Sequence, residues 1–230
     1  MTRTRLDFEG RRKAIVEAAM PLFARHGFAG TTTKEIAKAA AVSEALVFQH
    51  FPSKAALYQE ILQQGCQGDP GLEALAALPP STATVVRMTE LLLDCFVRGG
   101  ASEAKERDCR HRLALNSFLD DGEYLLLLHG WVMERIYPLF RSAMEAAEEA
   151  GDLRPDAMPA AANGFWFAQH VAAAIAYARL PGRNTVPYEG EIDRVIADAT
   201  LFILRGLGLK DEAIALHLAD AGPAAARAAA

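Results

Sequence analysis

The chain has 230 residues, of which 51% are hydrophobic and 23% charged, with a net charge of −5. This is the composition of a globular protein with room for a small and a larger domain, and no uncharged apolar run reaches the ~18 residues a membrane span needs. Three cysteines (Cys66, Cys95 and Cys109) form an odd set without C-x-x-C spacing, which argues against a disulfide framework or a zinc site. The opening MTRTRLDFEGRRK carries charge with no apolar run behind it, so no secretory signal is expected and a soluble cytoplasmic protein is.

Residues 1–60 hold nine Lys/Arg and six Asp/Glu, a net of +3, while the remainder nets −8. The positive end is where an electrostatic footprint for phosphate would lie. Apolar residues recur at helical spacing almost throughout and strand-like alternation is absent, so the fold class is all-α. A first helix spans about 8–26, with Ile15, Ala18, Ala19, Leu22 and Phe23 as its apolar stripe, a kink expected at Pro21 and Gly27 as its stop. Thr32 with Glu35 makes a capping-box pattern that opens a short helix over 33–40. Ala41-Val42-Ser43 breaks it, and Ser43 caps a third helix over 44–50. Ser53 caps a fourth that carries Leu57, Tyr58, Ile61 and Leu62. The Gly- and Pro-rich stretch 64–80 reads as a connector with a helical turn near 72–78. Further helices are expected at about 82–98, 103–118, 121–150, 156–180 and 189–206, and the last ten residues are expected to fray.

Two short helices joined by a tight turn can brace against DNA with the first and lay the second in the major groove. The stretch 28–57, FAGTTTKEIAKAAAVSEALVFQHFPSKAAL, resembles the tetracycline-repressor (TetR) family of regulators. The resemblance rests on Thr-x-x-x-Ile-Ala, then Val-Ser, then an aromatic segment ending His-Phe, then Lys-x-x-Leu, and it covers residues 8–62. Two echoes follow: GDLRPD at 151–156 resembles the family's turn before its eighth helix, and FILRGL at 202–207 the end of its last.

The resemblance implies an N-terminal three-helix helix-turn-helix DNA-binding domain over residues 1–62, and a C-terminal helical ligand-binding and dimerisation domain over 63–230. It implies that Thr33 and Lys34 open the supporting helix, whose first amides can hold a phosphate. Ser43 and Lys54 match phosphate-contacting positions, and Glu44, Ala45, Phe48, Gln49 and His50 belong to the reading segment. Arg3 and Arg5 are expected to reach backbone or minor groove. Alanine at Lys54 and Ser43 is expected to weaken DNA binding without unfolding the protein.

Three positions depart from the family's pattern. Ala41 replaces the usual turn glycine, a cheap change unless φ is positive there. Glu44 brings an acid, which either accepts from a cytosine amino group or repels phosphate. Phe48 replaces the usual tyrosine and lacks its hydroxyl.

The segment 156–180 is apolar nearly all round, so it must be covered on both sides. The last helix offers Ile192, Val195, Ile196, Ala199, Phe202, Ile203 and Leu207. By the resemblance these two helices pair with their copies in a homodimer, which would read a palindromic operator on double-stranded DNA. Family members respond to small ligands, and an apolar or aromatic effector is expected here. Pocket candidates are Phe96, Phe118, Tyr124 and His129, followed by Trp131, Met133, Phe165, Trp166 and His170. His111, His129 and His170 have no ligand spacing, so neither metal nor other cofactor is expected. The chain shows no nucleotide loop, G-x-S-x-G or H-E-x-x-H, and Asp120-Asp121 and Glu148-Glu149 read as solvated helix ends, so no enzyme activity is expected.

Overall fold

The computed structural model describes residues 7–66, 74–75, 77–98, 104–120, 122–158 and 160–221. Among these residues the elements are helical, apart from an isolated antiparallel pairing of Leu153 with Leu209. No described helix is long and apolar enough to cross a membrane. The chain divides into two compact units, one of Met1–Gln67 with Lys105–Gly130, the other of Gly68–Ala104 with Trp131–Ala230. The division is therefore not a single cut at 62/63, because 105–130 pack with the N-terminal helices.

In the first unit, α1 (Phe8–Gly30) is interrupted at Gly27, whose φ of 70° ends the regular helix where glycine is expected to. α2 (Thr33–Ala39), α3 (Glu44–His50) and α4 (Lys54–Cys66) follow. Ile15, Ala19 and Phe23 from α1 meet Ile36 and Ala37 from α2, Val47 from α3 and Leu57 from α4 in a fully buried core. Helices α2 and α3 have seven residues each, too few to stand alone in water, so this burial together with their caps holds them. α6 (Ala104–Leu119) adds a hydrogen bond from Asn116 Nδ2 to the Ala24 carbonyl at 2.8 Å.

In the second unit, α5 (Thr82–Leu93) continues into a π turn at Asp94–Arg98. It is the central helix, packed against α8 (Tyr137–Glu149), α10 (Ile192–Leu207) and α11 (Asp211–Ala221). Its buried hydroxyls are satisfied: Thr89 donates to the Val85 carbonyl at 3.0 Å, and Thr84 to that of Pro79 at 2.6 Å. α9 (Ala161–Tyr177) packs on α8 and α10.

Several expected bounds shift. The segment 121–150 is two helices, α7 (Glu123–Arg135) and α8, broken at Ile136 because Pro138 sits in the first turn of the second. α9 starts at Ala161 and α10 at Ile192, later than 156 and 189. α11 was not foreseen; its acidic first turn, Asp211 and Glu212, is the signal that marks it. Residues 222–230, and residues 72, 73 and 76 of the turn near 72–78, lie outside the described residues, and Leu75 is buried. Phe202 leaves the buried stripe of α10 and is 67% exposed.

The two family-like echoes meet in this unit. Arg154 N donates to the Gly208 carbonyl at 2.8 Å, and Lys210 N to that of Asp152 at 2.8 Å. Arg154 also reaches the Arg205 carbonyl at 2.9 Å, capping the end of α10.

A candidate nucleic-acid interface

The segment expected to read DNA is built around three junctions. At the first, Gly27 turns the chain out of α1, and the Lys54 ammonium donates to the carbonyls of Phe28 (2.7 Å) and Thr31 (3.1 Å) while lying 4.3 Å over the Phe28 ring. Thr31 is wholly buried. Lys54 is thus a clamp between α4 and the end of α1, whatever it does for phosphate. This qualifies the expectation that alanine there leaves the fold untouched.

At the second junction, Thr32 and Glu35 form the expected capping box. The Thr32 hydroxyl accepts from Glu35 N at 3.2 Å, and the Glu35 carboxylate accepts from Thr32 N at 2.9 Å. These bonds from the Thr32 backbone and hydroxyl hold the Glu35 carboxyl below the usual carboxylate range.

The third junction is the turn between the paired helices. Ala41 has φ 55°, while its N–H reaches the Lys38 carbonyl (3.2 Å) and Val42 N–H that of Ala37 (3.0 Å). This is the left-handed helix ending that glycine usually makes. The substitution is therefore not cheap: an L residue costs about 1–2 kcal/mol in this conformation. Ala41→Gly is expected to stabilise the first unit by about 0.5–1 kcal/mol, since glycine's extra freedom in the unfolded chain offsets part of the relief. A urea midpoint that does not rise would show that the strain is relaxed in solution.

Ser43 then caps α3, its hydroxyl accepting from Leu46 N at 3.2 Å. Thr33 donates its hydroxyl to the Glu44 carboxylate, tying the first turns of α2 and α3 together. Beyond the cap, Glu44, Ala45, Phe48 and Gln49 are all exposed, Phe48 by 49%. Spacings of four place Glu44 beside Phe48 and Ala45 beside Gln49 on one stripe. Lys34 and Lys38 are exposed on α2.

His50 does not join that stripe. It is 5% exposed, its ring 4.3 Å from that of Phe8, and its carbonyl accepts from Arg12 at 2.9 Å. Burial, with Arg12 and Arg11 nearby, holds its pKa below the ordinary histidine value. Arg12 also stacks 4.4 Å over Phe51 and pairs with Glu60. His50 is thus an inward residue of α3. Arg3 and Arg5 lie outside the described residues.

The pocket candidates are scattered over both units. Tyr124 is buried in the first, its ring 5.6 Å from that of Tyr58, and Phe118 in the same unit is exposed. His129, also there, is half-buried. In the second unit Phe96, Trp131 and Met133 are half-buried and His170 is exposed. Phe165 and Trp166 are in ring contact, edge-on at 5.4 Å, and Phe165 also meets Tyr137 and Phe140 at 5.5 and 5.1 Å. Tyr137 and Phe140 were missed; a Pro138-started helix with aromatics three apart was the available signal. Among the described residues no three His, Cys, Asp or Glu side chains gather as a metal site.

Residues 15–61 match the family model of bacterial regulatory proteins, tetR family. The HTH-type transcriptional regulator RutR of Escherichia coli O157:H7 is 33% identical over 135 residues, 53% of this chain and 62% of that protein. The HTH-type transcriptional regulator YvkB of Bacillus subtilis (strain 168) is 48% identical over 52 residues, 23% of this chain and 28% of that protein. The chain thus matches less than two thirds of the length of these curated relatives. Among solved structures, NalD of Pseudomonas aeruginosa, the secondary repressor of the MexAB-OprM multidrug efflux pump, superposes with a TM-score of 0.60 at 22% identity, covering 90% of this chain and 99% of that one. AibR, solved with isovaleryl coenzyme A and operator DNA, gives 0.57 at 18% identity over 87% and 100%. At these identities the structures establish a shared fold.

Proposed function

We propose that this chain, whose residues 15–61 match the model of the tetR family of bacterial regulatory proteins, is a DNA-binding transcriptional repressor of that family that reads a palindromic operator as a homodimer and is released by a small apolar or aromatic effector. The observation that carries this reading is the stripe of Glu44, Ala45, Phe48 and Gln49, four exposed side chains on a helix fixed by a capped turn at its start and by His50 and Phe51 in the core at its end. A groove about 12 Å wide admits one such helix. Ser43 and Thr33, which meet the first turn of α3, with Lys34 and Lys54, are the candidate backbone contacts, and such contacts set register on the duplex.

The homodimer is supported by α9 and α10, which pack on each other and still leave Phe167 (55% exposed) and Phe202 (67%) uncovered. Large exposed aromatics of this kind are what a twofold interface covers. The effector reading is supported by the aromatic group around Phe165 and Trp166. One turn further along α9, Gln169 has a buried side-chain oxygen with no hydrogen-bond partner. An apolar ligand carrying one N–H or O–H donor suits that combination. The effector acts only through different affinities for the DNA-bound and free conformations.

Selection of the purified chain on random duplexes in moderate salt tests the reading. Enrichment of an inverted repeat with half-sites about one helical turn apart is the expected result. No enrichment from folded protein, at low salt as well, would overturn it, since non-specific phosphate binding alone survives there.

A further inference from the structure

The exposed stripe of α3 contains no lysine or arginine, because the whole helix reads EALVFQH. Guanine presents two acceptors, N7 and O6, to the major groove and is met by cationic or amide donors. The side chain at the start of the stripe, Glu44, brings only acceptors when ionised. One of its oxygens already receives the Thr33 hydroxyl, which fixes the carboxylate at the junction of α2 and α3. Among the described residues no cation pairs with it. An exposed, positioned, acceptor-only group needs a donor from the base edge. Cytosine supplies one, N4–H₂, and carries no acceptor of its own on that edge, whereas adenine sets its N7 acceptor next to its amino group.

We propose that Glu44 is a specificity residue of this head, selecting a cytosine by accepting a hydrogen bond from the N4 amino group in the major groove, with Thr33 holding the carboxylate in place. The inference rests on the DNA-binding reading above and gives that reading a chemical identity at one base. Of the two roles open to an acid at this position, repulsion of phosphate would need no fixed orientation, and the Thr33 bond supplies one.

The test uses the full chain and the site it selects. Each base pair of one half-site is replaced in turn, and competition binding is measured for the unchanged protein and for Glu44→Ala, Glu44→Gln and Thr33→Val. Urea midpoints confirm that each variant is folded. The unchanged protein is expected to prefer cytosine at one position by ~10-fold, within the range of a good base contact. Glu44→Ala should lose that preference and keep the others. Glu44→Gln should shift it toward adenine, whose N6/N7 edge suits an amide. Thr33→Val should retain cytosine with weaker discrimination. Base preferences identical between the unchanged protein and Glu44→Ala would overturn the inference while leaving the regulator reading intact. Failure of the unchanged protein to select any sequence would overturn both.

Discussion

Gly208→Val is expected to lower the stability of the second unit by about 4 kcal/mol, from strain plus overpacking. Gly208 ends α10 with φ 99° and ψ 10°, the left-handed region, where a β-branched residue is a severe outlier. A Cβ there would sit 2.4 Å from Ala157 Cβ and 2.8 Å from Ala157 Cα. The second of these is backbone, so it cannot swing aside as a side-chain tip would. The loop carrying Ala157 is held by the Arg154 N–H on the Gly208 carbonyl itself, so relief of the clash breaks that bond. Gly206, two residues earlier in the same helix, is the control: an added Cβ meets nothing within 4 Å, and Gly206→Ala should be neutral or gain up to about 1 kcal/mol from helix propensity. Urea unfolding of both variants separates the cases. Equal midpoints would mean that the 157–208 contact gives way without cost.

Lys54→Met is expected to destabilise the first unit by about 2–3 kcal/mol and to weaken DNA binding at the same time. Methionine keeps the apolar stem and removes the ammonium. The Thr31 carbonyl then loses its bond from Lys54 on a wholly buried residue, and the Phe28 ring loses its cation. A lysine that serves phosphate alone behaves differently: stability holds, affinity falls evenly across sequences, and the slope of log affinity against log salt falls by about one. Measuring the urea midpoint and the salt slope on the same variant tells the two apart. An unchanged midpoint would reduce Lys54 to a phosphate contact.

The local rules of the first unit were legible because they are written in neighbouring residues. Thr32 and Glu35, Ser43 with Leu46, and Gly27 each carry their capping chemistry within a few positions. Ala41 was noticed, but its φ was not readable. Its residue type opposes the left-handed turn, and the bonds to Lys38 and Ala37 impose it. The resemblance puts His50 among the reading residues, and neither it nor helical spacing reveals that Phe8 and Arg12 of α1 meet it from the inner side. In the second unit, Pro138 lies inside an apolar periodicity that runs through both α7 and α8. Proline in a first helical turn leaves that periodicity intact, so the break is invisible to it. The aromatic group of Tyr137, Phe140 and Phe165 joins residues of two helices, which no single-helix pattern contains.

The tie between Thr33 and Glu44 has a thermodynamic consequence. A seven-residue helix would ordinarily be ordered by its target, and the loss of chain freedom would be charged against affinity. Here α3 is closed at its start by Ser43 and the Thr33–Glu44 bond, and anchored at its end by His50 and Phe51. On the DNA-binding reading proposed above, α3 is therefore preorganised, and docking is expected to proceed without coupled folding. The heat capacity change of association then reflects the surface removed from water at the interface, free of the large negative contribution that a folding segment adds.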